Sequence, residues 1–148
     1  MKVLRLHSIG DLRLHQEPIR TPADGEVLIK VSAVGICGSD LHWYSESGIG
    51  DAHLDHPLVL GHEFAGTIVG GQKNGQRVAI DPAQPCGTCD LCMQGHPNLC
   101  PNVRFAGHGK VDGALCEYLV WPERLIYPLP DHVSDIEGAM LEPLGVAL

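Results

Sequence analysis

Four cysteines, Cys86, Cys89, Cys92 and Cys100, lie within fifteen residues at the spacing C-x2-C-x2-C-x7-C. Zinc takes four ligands in a tetrahedron, and thiolates at ~2.3 Å suit it. A C-x2-C pair lets a short loop fold back so that two sulfurs reach one ion. Gly87 and Gly95 supply the backbone freedom such a knuckle needs. Four thiolates fill the shell, so this site would be structural. The segment from Pro82 to Pro101 has little apolar content of its own, and bound metal would hold it folded. Two other chemistries compete. Cys100-Pro101 echoes the end of the ferredoxin run C-x2-C-x2-C-x3-C-P, although the last gap here is seven and no second cluster motif exists. Disulfides are the third reading, and without an export signal thiolate ligation is favoured over them.

A second group of donors is spread along the chain. Cys37 stands between Gly35 and Gly38, His62 and Glu63 adjoin, and Glu142 precedes Pro143. Neighbours on a regular strand point to opposite faces, so His62 and Glu63 meet at one ion only if the backbone bends there. Leu60-Gly61 permits that bend. A zinc with Cys, His and carboxylate ligands plus water would be catalytic, a Lewis acid for an alcohol or carbonyl oxygen. Alone, these residues also fit a small core cysteine and a hydrogen-bonded or surface histidine.

Short strands must position both groups. Val3–Leu6 and Leu12–Leu14 read as a hairpin, and Val27, Ile29 and Val31 alternate within 26–34. Further strands are expected at 63–69, 77–80, 115–120 and 125–127. Helical periodicity is scarce until Ser134-Asp135-Ile136-Glu137, a capping box that opens a helix. The apolar stretch after it runs on to Leu148 without a helix stop signal, which reads as a truncated chain.

Composition narrows the function. The chain has 148 residues, 18 of them glycine and 11 proline, scattered as turns between short strands are. Its net charge is −8 with no basic cluster, and aromatics are 5%. Nucleic acid and anionic membrane surfaces both need a positive footprint, so neither is an expected partner. No apolar run reaches the 18 residues of a membrane span.

In order along the chain, Gly35-Ile36-Cys37-Gly38-Ser39-Asp40-Leu41-His42, Gly61-His62-Glu63-Phe64-Ala65-Gly66, the four-cysteine lobe and Glu142-Pro143-Leu144 resemble a known family. It is the GroES-like catalytic domain of zinc-dependent medium-chain dehydrogenases, of the alcohol dehydrogenase superfamily. Cys37 to Tyr44, Ile49-Gly50-Asp51 and Val103-Arg104-Phe105 look most like its polyol branch, the sorbitol, xylitol and idonate dehydrogenases. The resemblance covers nearly the whole chain.

The resemblance implies a mainly β fold, a partly open barrel with few short helices and a zinc lobe at about 82–101. It implies two zincs per chain. One would sit on Cys37, His62 and Glu63, with Glu142 as fourth ligand or as partner of the bound water; the other would sit on Cys86, Cys89, Cys92 and Cys100. Ser39 and His42 match the family's proton relay, and Trp43 and Phe105 match side chains of the polyol pocket. Histidine titrates near neutral pH, which suits the outer end of a relay. The implied reaction oxidises a secondary alcohol of a polyol or related sugar acid through a zinc alkoxide, with hydride passing to NAD or NADP. The parent protein would be a cytoplasmic homo-oligomer acting on a small-molecule alcohol.

Three departures stand out. Gly66 to Gly75 is shorter than the family's usual hairpin, and Gln76 replaces its common Asp. No dinucleotide fingerprint is present, since Gly48-Ile49-Gly50-Asp51-Ala52-His53 lacks the third glycine. Residues 1–148 are therefore expected to be the catalytic domain, with the Rossmann domain after 148 in the parent, and the fragment alone is expected to bind zinc without turnover. Cys116 is an extra thiol expected in the core. The rival function is a stand-alone zinc-binding module without catalysis, which would have no reason to keep Cys37, Ser39, His42, His62 and Glu63 together.

Overall fold

In the computed structural model, which describes residues 1–148, the N-terminal alternation closes as a hairpin of β1 (Lys2–Ser8) and β2 (Asp11–Gln16). The long strand β3 (Glu26–Gly35) leads into helix α1 (Gly38–Glu46). A small ribbon of β4 (Gly48–Ile49) and β5 (Ala52–His53) follows, then β6 (Leu58–Val59), β7 (Glu63–Val69) and β8 (Arg77–Ile80). The cysteine lobe lies between β9 (Ala83–Gln84) and β10 (Arg104–Phe105) and holds the single turn α2 (Asp90–Met93). Then come β11 (Tyr118–Pro122), β12 (Ile126–Pro128), α3 (Asp135–Ala139) and α4 (Leu141–Ala147).

The main sheet has five strands in the order β11-β3-β7-β8-β12, antiparallel throughout. A three-stranded sheet, β2-β1-β6, faces it, and a Val3–Cys116 bridge links the two. Together they make a partly open β-barrel with few helices. Ile29, Phe64, Ile68, Val78 and Trp121 fill the larger core, with Phe64 and Trp121 edge to face at 6.0 Å. Leu6, Trp43, Leu58 and Leu60 form a second core beneath α1.

Two elements differ from the sequence reading. Helix α1 was not legible, because its residues Gly-Ser-Asp-Leu-His-Trp-Tyr-Ser-Glu show no apolar stripe; only Asp40 and Trp43 are buried. Its start is fixed by the Asp40 carboxylate, which accepts the Cys37 N–H at 2.9 Å. Strand β11 begins at Tyr118 rather than at 115, because Leu115 turns away to donate to the Leu60 carbonyl at 3.0 Å. The helix from the capping box forms, and Ser134 Oγ accepts the Glu137 N–H at 3.2 Å. Arg77 of β8 clasps it by donating to Asp135 at 2.8 Å and to the Val133 carbonyl. No helix is long and apolar enough to cross a membrane.

Candidate active site and metal centres

Cys37 follows the end of β3, His62 precedes β7 and Glu63 opens it. Their donor atoms all lie within 4.8 Å of one another. The required bend is present: Gly61 has φ +92°, a left-handed conformation open to glycine. It takes His62 out of the strand alternation while Glu63 stays in register opposite Gly35. A sulfur, an imidazole nitrogen and a carboxylate oxygen at this spacing form a donor set that suits zinc. His62 is only 6% exposed, and the Phe105 ring packs on it at 5.3 Å.

Beneath this trio sits a carboxylate whose role the sequence reading missed. Asp40 is 3% exposed. Its Oδ2 accepts the Cys37 N–H, and its Oδ1 accepts the Gly61 N–H at 3.1 Å. One carboxylate thereby ties the Cys37 turn to the His62 turn. The available signal was Asp at the third position of a helix opening on Cys37, which only the recognition of α1 could have exposed.

The four lobe cysteines also lie within 4.8 Å of one another. The sulfurs of Cys86 and Cys92 are 4.0 Å apart, and those of Cys89 and Cys100 are 3.9 Å apart. A tetrahedron with ~2.3 Å arms has edges of ~3.8 Å, so these separations fit a shared ion. They are twice a disulfide bond, and all six cysteines of the chain are free thiols. The backbone N–H groups of Thr88 and Cys89 pull the Cys86 thiol down to about 5. Desolvation and the surrounding cysteines push Cys92 up to about 12. A thiolate at Cys86 is thus favoured, while four together need a cation.

Residues 23–131 match the alcohol dehydrogenase GroES-like domain family. The chain belongs to this family. It is 41% identical to the sorbitol dehydrogenase of Bacillus subtilis (strain 168) over 154 residues, covering all of this chain and 44% of that protein. L-idonate 5-dehydrogenase from Escherichia coli superposes with a TM-score of 0.91 at 31% identity, covering 99% of this chain and 44% of that one. A short chain alcohol dehydrogenase from E. coli CFT073, complexed with NADH, superposes with a TM-score of 0.88 at 37% identity over 99% of this chain and 43% of that one. The chain thus spans less than half the length of these relatives.

The GroES-like domain distributes the other expected residues unevenly. Ser39 is half-buried in the first turn of α1, and His42 lies one turn on, 58% exposed, with Nδ1 2.9 Å from Glu46. Phe105 and Glu142 line one cleft of about 770 Å³, with Ile80, Pro82, Leu141 and Val146 among its apolar walls. Glu142 stands outside the 4.8 Å trio. Burial raises its carboxyl above the usual value and Glu63 and Asp81 add to the rise, while His62 opposes it, so Glu142 shares the field of the trio. Trp43, expected in the polyol pocket, is instead 1% exposed, packed with Leu6, Leu58 and Leu60 and edge-on to His108 at 5.3 Å. Helix α1 turns its indole inward, into the second core. Cys116, expected in the core, is only half-buried, with Sγ 3.2 Å from the Tyr118 carbonyl, and desolvation pushes its thiol up to about 12.

Proposed function

We propose that this chain is the metal-bearing domain of an NAD(P)-dependent dehydrogenase that oxidises a secondary alcohol of a polyol, or of a related sugar alcohol or acid, to a ketone. The observation that carries the reading is the convergence of Cys37, His62 and Glu63 within 4.8 Å. Zinc held there would supply Lewis acidity toward an alcohol oxygen, and zinc held by Cys86, Cys89, Cys92 and Cys100 would supply folding energy. Glu142 is the fourth candidate donor for the first site.

The chain's own residues do the rest. Ser39, two residues beyond Cys37, takes the proton of the substrate hydroxyl as it releases its own hydroxyl proton toward His42. His42, one helical turn away and paired with Glu46, carries that proton toward solvent. Phe105 closes the apolar side of the site against His62 and keeps water from it. The nicotinamide is supplied from a nucleotide-binding unit outside these 148 residues, and the relative solved with NADH supports that cofactor class. By itself the chain binds zinc and does not turn over. Six free thiols favour a reducing, cytoplasmic compartment.

The test is metal content per chain by mass spectrometry, on protein purified without chelators, beside a Cys37→Ser variant. Two zincs falling to one in the variant are expected. One zinc in both proteins removes the catalytic-site reading, and iron in place of zinc removes the dehydrogenase reading altogether.

A further inference from the structure

Gly35 closes β3 directly opposite Glu63, the first residue of β7. Its φ is not positive, so its backbone conformation is one that any residue can adopt. Glycine is needed there for space. A Cβ on Gly35 would stand 2.0 Å from Glu63 Oε2, 3.0 Å from its Cβ and 3.1 Å from its Cδ. The Glu63 carboxylate lies in the volume that the first side-chain carbon of any other residue would fill. Two other tight glycines meet backbone first: Gly66 of β7 faces the Lys30 carbonyl, and Gly113, in the loop before β11, faces that of Gly61. At Gly35 the nearest obstacle is the carboxylate of a candidate ligand.

We propose that Gly35 is a positioning residue whose missing side chain lets the Glu63 carboxylate fold across the edge of β3 to join Cys37 and His62. This accounts for how two adjacent residues reach one point. The Gly61 turn takes His62 out of the strand alternation. Glu63 remains in the strand and reaches the same point only by crossing over Gly35. A methyl group at Gly35 collides hardest with the far end of a flexible side chain, which swings away, while its approach to Glu63 Cβ asks for a shift of only a few tenths of an ångström. The fold is kept and the donor is lost.

The inference rests on the zinc reading of the trio, and its test has a readout that does not. Zinc affinity is measured by chelator competition for the wild-type chain, Gly35→Ala, Glu63→Ala and the double variant. Gly35→Ala is expected to weaken the Cys37 site about 10–100-fold, as loss of a ligand's support typically does, and to leave the four-cysteine site unchanged. In the Glu63→Ala background the same change is expected to cost nothing further, because the two residues act as one unit. An equal loss in both backgrounds overturns the proposal. Crystal structures of metal-free wild-type and Gly35→Ala protein give the independent readout. The carboxylate lying over Gly35 in the first and displaced in the second supports the proposal, and an unmoved carboxylate overturns it. If the wild type binds no metal at Cys37, the zinc reading fails and these structures alone decide the role of Gly35. If Gly35→Ala does not fold, the double variant decides: recovery of folding supports a collision with Glu63, and no recovery overturns it.

Discussion

Asp40 Oδ1 lies 3.7 Å from Nδ1 of His62, with both residues buried. The separation is too long for a hydrogen bond and short enough to bias the ring's orientation. The same carboxylate accepts the N–H groups of Cys37 and Gly61, so it fixes the backbone on both sides of the donor set. Asp40→Ala leaves those N–H groups without partners, at a cost of about 2–4 kcal/mol. Zinc affinity at the Cys37 site is expected to fall about 10–100-fold as well. Urea unfolding and chelator competition measure the two effects. Asp40→Asn keeps one acceptor oxygen and is expected to fall between wild type and Ala in both.

Trp43 gives a prediction in which packing and substrate binding part ways. Its indole fills the second core beneath α1 and faces His108. Truncation of a buried aromatic of this size costs ~3–5 kcal/mol. Trp43→Ala is therefore expected to lower the denaturation midpoint of the isolated chain by a large step, and Trp43→Phe by a smaller one. A residue whose only role is to line a substrate pocket would leave the midpoint in place. Denaturant unfolding of the two variants separates the cases.

Much of this site was legible because zinc chemistry writes itself in residue type and spacing. The spacing of Cys86 to Cys100 pointed to one shared site, where their sulfurs do converge, and the bend at Gly61 was required once His62 and Glu63 were assigned to one ion. Strand β3 was legible from the alternation of Val27, Ile29 and Val31, and β7 as a short apolar run, buried continuously over Phe64, Ala65 and Gly66. Helix α1 was not, because it buries two residues and is set by a cap rather than by a stripe. That failure hid Asp40 and the burial of Trp43, since the face a side chain takes depends on the element that carries it. The space over Gly35 was also hidden. Pairing of β3 with β7 is a long-range fact that no local window contains.

The cysteine lobe predicts how metal removal will spread. Residues 86–100 contribute one buried side chain, Cys100, and no strand of the main sheet. The barrel has two cores of its own. Chelation is expected to loosen the lobe while the sheets stay folded, because metal bound there would be the main source of the lobe's order. Hydrogen exchange by mass spectrometry, before and after a strong chelator, tests this. Exchange should rise at 86–100 and stay low in β3, β7 and β8. Uniform acceleration across the chain would show that the barrel depends on the lobe.

Acid stability should pass through Glu17. Its carboxylate accepts from Arg5 Nε and Nη2 at 2.6 and 2.9 Å, and Arg5 also donates to Asp112. This network joins β1 to the segment after β2 and to the loop that carries Gly113 past Leu60. The hydrogen bond from Arg5 holds the Glu17 carboxyl below its usual 4.5. A depressed folded value means that stability is fully present above pH 4.5 and is lost as pH falls through the folded value. Glu17 is 28% exposed, so its contribution is of the order of 1 kcal/mol. Glu17→Gln is expected to melt below the wild type at pH 7. The gap should narrow as pH drops below 4.5 and close once Glu17 is protonated. Thermal melts of both proteins from pH 7 to pH 3 check it, and a gap unchanged with pH would mean that the Arg5 pairing contributes nothing.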